Sequence, residues 1–280
     1  MLTNKKAIIT GGSRGIGKSI AKAFVEAGAE VLLVARNQAE LETVRRELAS
    51  KSRVEAMKAD VSSAADTDAV AQQAAKLWSG VDILVNAAGI YGPIGPLAEA
   101  DVTEWRRTID INLVGTFLMM RAVAPLMKKG GGGKIINFSG GGEGAYANFA
   151  AYAASKGAVV RLTETAAEEL KKYNIEVNAI APGAVNTKLL EDLLKAGPEK
   201  VGAETYKCSL EQKENGGVPP EKAAELVVFL ASDVSRGLSG RIISAIHDDY
   251  KKFPARLKEI MESDIYTWRR IKPKDRGYDW

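Results

Sequence analysis

Tyr152 and Lys156 lie four residues apart, a spacing that places both side chains on one face of a helix. A free phenol has a pKa of about 10, too high for ready proton exchange near neutral pH, and a nearby ammonium group lowers that pKa. The pair could therefore act as a general acid/base at a carbonyl or hydroxyl oxygen. The same spacing also occurs on purely structural helices, so the hypothesis depends on further residues.

A polar residue earlier in the chain could complete such a site. Ser139 precedes Tyr152 by 13 residues, at the end of a strand-like run, where a hydroxyl could stabilise charge on a substrate oxygen. Ser139 could instead open a turn at residues 139–142. Asn112, another polar residue of this region, could simply cap a helix. Tyr146 is a weaker candidate for the acid/base because residue 150, where its lysine would lie, is alanine.

A glycine-rich segment, TGGSRGIG at residues 10–17, lies between the first strand-like run and the first helical stretch. Glycines at such a turn let the backbone approach a pyrophosphate, and the helix N-terminus presents free N–H groups to the anion. The position of the segment indicates a dinucleotide site, although any tight turn between a strand and a helix can use glycine.

Short β-branched runs alternate with longer helix-periodic stretches along most of the chain. Strands are predicted at 6–10, 30–35, 53–59, 81–86, 134–139, 175–180 and 241–244. Helices are predicted at 16–27, 102–128, 150–172 and 220–232, and two more follow the second and third strands and end near residues 48 and 78. This alternation predicts an α/β fold, a doubly wound parallel sheet of about seven strands with helices on both faces. A ligand is then expected at the carboxyl ends of the strands, where the strand order reverses.

Two segments break the alternation. Residues 187–218 have mixed polarity and no strand signal, which is typical of an insertion that covers a binding site. Residues 245–280 follow the last predicted strand and contain a short predicted helix at about 254–262. We therefore predict a Rossmann-type domain over 1–244 and a C-terminal extension that covers the pocket, reaches a neighbouring subunit or is simply solvated.

Taken together, these residues resemble the short-chain dehydrogenase/reductase family over about residues 5–244. The Gly-x-x-x-Gly-x-Gly spacing is similar to its glycine turn, and residues 86–89 (NAAG) are similar to its Asn-Asn-Ala-Gly signature, with Ala87 in place of the second asparagine. The family's four catalytic positions are matched in order by Asn112, Ser139, Tyr152 and Lys156. A Pro-Gly pair followed by a threonine, at residues 182–187, resembles the segment that binds the nicotinamide side.

The resemblance implies roles and contacts for these residues. Tyr152 is expected to be the general acid/base, Lys156 its activator and ribose anchor, Ser139 the oxyanion stabiliser, and Asn112 the holder of a water that links the lysine to solvent. The expected cofactor-binding residues are Gly11, Ser13, Arg14, Gly15, Ile16, Gly17, Arg36, Asp60, Val61, Asn86, Ala87, Ala88, Gly89, Tyr152, Lys156, Pro182, Gly183, Val185 and Thr187. A homodimer or homotetramer is also implied, with helices around 111–128 and 150–172 at the interface.

The charges around the second strand bear on cofactor choice. NAD-selective sites usually place an acidic residue at the end of this strand, but here Ala35 is followed by Arg36, and Arg14 lies in the glycine turn. Two guanidinium groups suit a ribose 2′-phosphate, which favours NADP(H), with NAD(H) possible; both arginines could instead be solvated or stack on adenine. Asp60 is expected to bind the adenine amino group, unless it only caps the next helix.

Composition excludes several other classes. The formal net charge of +4 over 280 residues gives no concentrated basic face for nucleic acid. The single cysteine, Cys208, excludes an internal disulfide, and His247 with Asp248 and Asp249 does not supply a metal-binding spacing. No bilayer-spanning stretch and no signal peptide are predicted, so we expect a cytoplasmic protein that acts on a small-molecule carbonyl or alcohol.

Two other functional classes remain open at this stage. An epimerase or lyase could use bound NAD(P) only transiently, and a sensor or scaffold could bind the dinucleotide without turnover. The segments expected to form the substrate pocket, after Ile90, after Ser139 and within 187–218, mix apolar, glycine and charged residues. Polyols or sugars, steroids, acyl thioesters and simple ketones therefore all remain candidate substrates.

Overall fold

The structure, a computed structural model, describes residues 1–140 and 144–280. Part of the turn predicted at 139–142 lies outside the described residues. Seven parallel strands form one sheet in the order β3-β2-β1-β4-β5-β6-β7. They are β1 (Lys6–Thr10), β2 (Glu30–Ala35), β3 (Val54–Lys58), β4 (Ile83–Asn86), β5 (Gly133–Phe138), β6 (Ile175–Ala181) and β7 (Ile242–Ser244). The predicted parallel sheet is confirmed.

The strand order reverses between β1 and β4. Thr10, the last residue of β1, lies in register between Val34 of β2 and Asn86 of β4. The chain leaves β1 toward β2 on one side and later returns to β4 on the other, so a crevice opens at the carboxyl ends of these strands. The predicted ligand position therefore coincides with the ends of the two strands that precede the glycine turn and the NAAG segment.

Helices cover both faces of the sheet. They are α1 (Gly15–Glu26), α2 (Gln38–Leu48), α3 (Ala64–Leu77), α4 (Val102–Ile109), α5 (Gly115–Lys129), α6 (Ala150–Leu170), α7 (Lys188–Ala196), α8 (Pro198–Val201), α9 (Ala203–Glu214), α10 (Pro220–Ala231) and α11 (Phe253–Met261). Successive strand residues point to opposite faces, so Ile9 packs with α1, α2 and α10 while Ile8 packs with α3, α5 and α6. Both faces are apolar, as a parallel sheet requires.

The helical stretch predicted at 102–128 consists of α4 and α5 with a π-helical segment, Asp110–Val114, between them. The whole stretch Val102–Lys129 is long and apolar enough by composition to cross a membrane, so the expectation that no such stretch exists is wrong. Met119, Val123 and Met127 are buried against the sheet. We therefore assign its apolar character to packing in the core.

Three helices, α7, α8 and α9, occupy the segment 187–218, which was predicted to lack strands and to cover a binding site. An antiparallel bridge between Val185 and Gly217 closes the base of this segment. Leu193 of α7 and Val201 of α8 are buried against Phe149 and Tyr152 at the start of α6. The segment is thus a small helical cap packed on the region where the sequence placed the acid/base.

The C-terminal extension packs mainly on the protein's own sheet. The backbone N–H of Ile242 in β7 donates to the carbonyl of Tyr266 at 2.8 Å, which covers the outer edge of the sheet. Tyr250, Phe253 and Ile260 are buried in the core on the α10 face. Beyond residue 268 the chain is mostly exposed, so only this end fits the solvated alternative.

The buried side chain of Arg241 binds the backbone of the C-terminal extension. Its guanidinium donates to the carbonyls of Ile260 at 2.8 Å and Ser263 at 3.1 Å, and the residue is only 8 % exposed. Arg241→Ala leaves these carbonyls without a donor, so we expect the free energy of unfolding to fall by about 2–4 kcal/mol. Urea denaturation measures this loss, and Arg236→Ala, which breaks a solvated pair with Asp233, should lose less than about 0.5 kcal/mol. Equal losses would contradict the role of Arg241.

Candidate active site

The glycine turn closes tightly between β1 and α1. Gly11 and Gly15 adopt φ values of +68° and +53°, which L side chains rarely tolerate. A Cβ on Gly17 would collide with the carbonyl oxygen of Gly11, and a Cβ on Gly11 would lie 3.0 Å from the backbone nitrogen of Ala88. Glycine is therefore required at Gly11 and Gly17 for the close approach of β1, α1 and the NAAG segment, which leaves the N-terminus of α1 open to an anion.

A cleft with a volume of about 1140 Å³ runs from this turn to Tyr152. It holds most of the residues predicted from the sequence. Those that line it are Gly11, Ser13, Arg14, Gly15, Ile16, Gly17, Arg36, Asp60, Val61, Ala87, Ala88, Gly89, Tyr152, Lys156, Pro182 and Thr187. Among the described residues that line the cleft, none lies beyond Asp192 in the sequence.

Three of the predicted cofactor-binding residues lie next to the cleft but do not line it. The side-chain amide of Asn86 donates to Asn137 at 2.9 Å inside the sheet. Gly183 packs against Ile246, and Val185 is buried in the bridge at the base of the helical cap. The structure therefore places these three residues beside the cleft and not in its lining.

Asn112 is fully buried in the π-helical segment. Its side chain accepts from the backbone N–H of Ile90 and donates to the carbonyl of the same residue, each at 2.9 Å, and it also donates to Ser155 at 3.0 Å. Single-turn π segments are frequent at functional sites. Asn112 thereby fixes the chain after the NAAG segment to the helix that carries Lys156, and it is not a helix cap.

The two arginines singled out from the sequence are exposed at the end of the cleft that contains the glycine turn. Arg14 and Arg36 both line it and are solvent-accessible. Sequence reasoning missed Glu40, which also lines it: Glu40 accepts from the Ser13 hydroxyl and the Asn37 amide, each at 2.9 Å. The signal for Glu40 is its place in the first turn of α2, three residues after the capping Asn37.

Asp60 lies at the end of β3 beside these groups. Its carboxylate accepts from the backbone N–H and hydroxyl of Ser62 at 3.0 and 2.6 Å, whereas Ser63 caps α3. Burial opposes ionisation, but the bonds from Ser62 and the charge of Arg36 outweigh it and hold the pKa of Asp60 below its usual range. Asp60 is therefore a charged acceptor at the cleft, and the alternative in which it caps the next helix is wrong.

Tyr152 and Lys156 lie together on α6, buried at the inner end of the cleft. The ammonium nitrogen of Lys156 donates to the carbonyl of Phe138 at 2.8 Å and lies 5.8 Å from the centre of the Tyr152 ring. Burial, followed by the charge of Tyr146, raises the pKa of Tyr152, and burial lowers the pKa of Lys156 to about 8. The expected lowering of the tyrosine pKa is thus absent here, because desolvation dominates and the lysine is held by a carbonyl.

The depressed pKa of Lys156 predicts an unusual pH dependence of stability. Because the unfolded chain binds more protons between pH 8 and 10.5, the wild type gains stability as pH rises through this window. At neutral pH this group lowers the stability by about 3 kcal/mol, partly offset by its hydrogen bond. We expect Lys156→Met to be about 2 kcal/mol more stable at pH 7 and to lose most of this advantage by pH 9.5, as measured by urea denaturation; a pH-independent difference would contradict this prediction.

Ser139 does not reach the cleft. Its side chain is fully buried and its hydroxyl donates to the carbonyl of Ile180 at 3.1 Å, within the sheet. The next residue, Gly140, lines the cleft and brings no side chain. The prediction that the Ser139 hydroxyl faces the substrate is wrong for this structure, because the pleat at the end of β5 turns that hydroxyl toward β6.

A parallel sheet with its glycine turn at the reversal of strand order defines a protein that binds a dinucleotide at its switch point. The family profile described as short chain dehydrogenase matches residues 5–197. The chain belongs to this family of oxidoreductases, whose cofactor is a nicotinamide dinucleotide. The resemblance inferred from the sequence is confirmed.

Several characterised relatives share most of the chain. Trans-4-hydroxycyclohexanecarboxylate dehydrogenase of Sinomonas cyclohexanicum is 37% identical, over 85% of this chain and 90% of the relative. The 3beta-hydroxysteroid dehydrogenase 2 of Eggerthella lenta is 35% identical, over 87% and 94%. The crystal structure of levodione reductase is similar, with a TM-score of 0.81 and 29% identity over 90% of this chain and 98% of that chain. The crystal structure of NAD+-bound xylitol dehydrogenase has a TM-score of 0.80 and 28% identity over 87% of this chain and 98% of that chain.

Proposed function

We propose that this protein interconverts a carbonyl compound and a secondary alcohol, with NADP(H) as the preferred cofactor and Tyr152 as the general acid/base. The observation that carries the proposal is the burial of Tyr152 and Lys156 at the inner end of the same cleft that begins at the glycine turn. A phenol with a raised pKa stays protonated at neutral pH and is ready to donate during carbonyl reduction.

The mechanism assigns each proton movement to a residue of the chain. A bound nicotinamide supplies the hydride for reduction or accepts it in oxidation. In reduction, Tyr152 donates its phenolic proton to the carbonyl oxygen; in oxidation, the phenolate takes the hydroxyl proton. Lys156, with its lowered pKa, can return a proton to Tyr152 near neutral pH. Asn112 binds the backbone of Ile90 and so fixes the neighbouring Gly89, at which a Cβ would lie only 3.6 Å from the ammonium nitrogen of Lys156.

The proposed preference for NADP(H) follows from the charges at the end of the cleft where the adenosine of the cofactor would lie. Two exposed guanidinium groups, Arg14 and Arg36, line the part of the cleft that ends at Asp60. They suit the 2′-phosphate of NADP(H), which accepts bidentate hydrogen bonds. Glu40 supports the alternative preference for NAD(H), since a carboxylate can accept from a ribose hydroxyl, but its oxygens are already bonded to Ser13 and Asn37.

The inner end of the cleft lies beside an apolar cluster and shares Tyr152 with it. In this cluster Phe149 and Tyr152 are buried with Leu193 and Val201, and further apolar and aromatic side chains pack around them. Such surroundings suit a cyclic apolar substrate better than a polyol. We propose a cyclic ketone and its secondary alcohol as the substrate class, in keeping with the hydroxycyclohexane and hydroxysteroid substrates named for two relatives.

The assembly and location follow the same proposal. We propose a cytoplasmic homodimer or homotetramer that buries α5 and α6, where Phe117 is 47% exposed although most large apolar side chains of α5 are buried. Size-exclusion chromatography with light scattering checks the assembly, and Phe117→Glu should shift it toward the monomer.

The experiment that tests the activity is a panel of cyclic ketones and secondary alcohols, each assayed with NADPH/NADP+ and NADH/NAD+ at 340 nm. We expect turnover with cyclic ketones and faster turnover with NADPH. Cofactor binding without turnover of any compound would overturn the proposal and favour a dinucleotide sensor, whereas tightly retained cofactor with no net change at 340 nm but a chemically altered product would favour an epimerase or lyase.

A further inference from the structure

The first turn of α7 forms one wall of the cleft. Thr187, directly before this helix, lies against the glycine turn, since a Cβ on Gly15 would be 3.3 Å from its Cγ2. Gly15 also begins α1, and the diphosphate of a dinucleotide is expected at the N-terminus of that helix. The first turn of α7 therefore begins beside the place of the diphosphate, and it contributes four residues to the lining, Lys188, Leu189, Glu191 and Asp192.

Three charged side chains lie on this wall. The ammonium nitrogen of Lys188 is 3.1 Å from a carboxylate oxygen of Glu191 and 3.0 Å from one of Asp192. Hydrogen bonds to Asp192 and then to Glu191 raise the pKa of Lys188, so the lysine is charged at neutral pH. All three side chains are at least 45% exposed. Ion pairs exposed in this way are weak, so Lys188 can exchange a carboxylate for another anion at little cost.

The two carboxylates of α7 differ from the other carboxylates in the cleft. Glu40 and Asp60 accept from neutral hydroxyl and amide groups. Among the described residues that line the cleft, Lys188 is the one cation that is paired with carboxylates of the same lining. Unpaired, those carboxylates would repel a diphosphate beside them. An ammonium group has three N–H donors, so Lys188 can bond to a phosphate oxygen and keep a carboxylate partner.

We propose that Lys188 binds the diphosphate of the cofactor, and that Glu191 and Asp192 compete for the same ammonium group and so speed cofactor release. A dehydrogenase must exchange its cofactor after each hydride transfer, and release steps limit the rate of many enzymes. Lys188 touches the cofactor, whereas the two carboxylates act through Lys188. NAD(H) and NADP(H) share the diphosphate, so this role goes beyond the proposed function and depends neither on the preference for NADP(H) nor on Tyr152.

The test measures the dissociation constants and dissociation rates of NADPH and NADH by fluorescence titration and stopped flow. Lys188→Met removes the ammonium group and should weaken both cofactors about tenfold, mainly through faster dissociation, because one charge-assisted hydrogen bond is lost. Lys188→Arg keeps the charge and should stay within about threefold of the wild type. Lys195→Met, in the last turn of the same helix and outside the cleft lining, is the matched control and should change neither cofactor.

A double variant separates binding by Lys188 from mere neutralisation of the carboxylates. Glu191→Gln with Asp192→Asn removes the competition for the ammonium group, so we expect both cofactors to bind about three- to tenfold more tightly and to dissociate more slowly. Adding Lys188→Met to this double variant should still cost about tenfold, because the bond to the diphosphate is lost. ADP-ribose, which has the diphosphate but no nicotinamide, should show the same losses in isothermal titration.

Three outcomes would overturn this role of Lys188. The first is unchanged affinity for both cofactors in Lys188→Met. The second is no cost of Lys188→Met in the double variant, which would mean that the lysine only neutralises Glu191 and Asp192. The third is a loss confined to NADPH, which would place Lys188 at the 2′-phosphate. Thermal midpoints establish that each variant is folded. Turnover of ketones and the cofactor preference of Arg36→Ala test the proposed function separately, so either account can fail alone.

Discussion

Replacing Tyr152 with phenylalanine is expected to lower kcat/KM for ketone reduction by about 10²–10⁴-fold, the range for loss of a general acid/base. Phenylalanine keeps the ring that packs edge-on against Tyr91, so the cleft should retain its shape. Affinity for NADPH, measured by fluorescence titration, should change less than about threefold. The loss therefore falls on the chemical step and not on binding.

Tyr173→Phe is the matched control for that variant. Tyr173 carries a phenol under the ammonium groups of Lys128 and Lys172, far from the cleft lining, and its variant should keep activity within about twofold. If Tyr152→Phe retained more than a tenth of wild-type activity, the proton would have to come from another group, and the mechanism proposed here would be wrong.

Arg36→Ala is expected to weaken NADPH binding by about 10–10²-fold, since a charge-assisted hydrogen bond contributes about 1.5–3 kcal/mol. NADH lacks the 2′-phosphate, so its dissociation constant should change less than about threefold. The consequence is a loss of cofactor preference and not a loss of cofactor binding. Isothermal titration with both cofactors measures the two constants directly.

Two further variants sharpen this test. Arg46→Ala removes the same charge from the exposed face of α2, outside the cleft lining, and should leave both affinities unchanged. Glu40→Gln removes the carboxylate that competes with a phosphate, so it should strengthen NADPH binding and not NADH binding. Equal weakening of both cofactors in Arg36→Ala would mean that this arginine only stacks on adenine, as the sequence alone also allowed.

The sequence predicted the sheet and the glycine turn at one end of the cleft because local signals determine both. Each buried strand is a short β-branched run, and the positive φ values at Gly11 and Gly15 can be anticipated from glycine itself. The conjunction of a glycine turn with Tyr152 and Lys156 then located both ends of the cleft. These features depend little on packing between distant segments.

The features that the sequence did not predict depend on tertiary packing. The count of 13 residues between Ser139 and Tyr152 says nothing about which way a strand end faces, and the pleat of β5 decides that the hydroxyl points to Ile180. The π-helical segment around Asn112 breaks a helix whose periodicity continues through it. The path of the extension depends on Arg241, whose partners lie about 20 residues further along the chain.

The central claim, that hydride passes between a nicotinamide and a carbonyl carbon in this cleft, is tested most directly by isotope transfer. NADPH deuterated at the transferable C4 position is incubated with the panel of cyclic ketones, and the products are analysed by mass spectrometry. We predict an alcohol that carries one deuterium on the former carbonyl carbon for each cofactor oxidised, and at least a hundredfold slower formation of this product with Tyr152→Phe. Recovery of unoxidised cofactor with every ketone, or a product formed without deuterium, would contradict the claim.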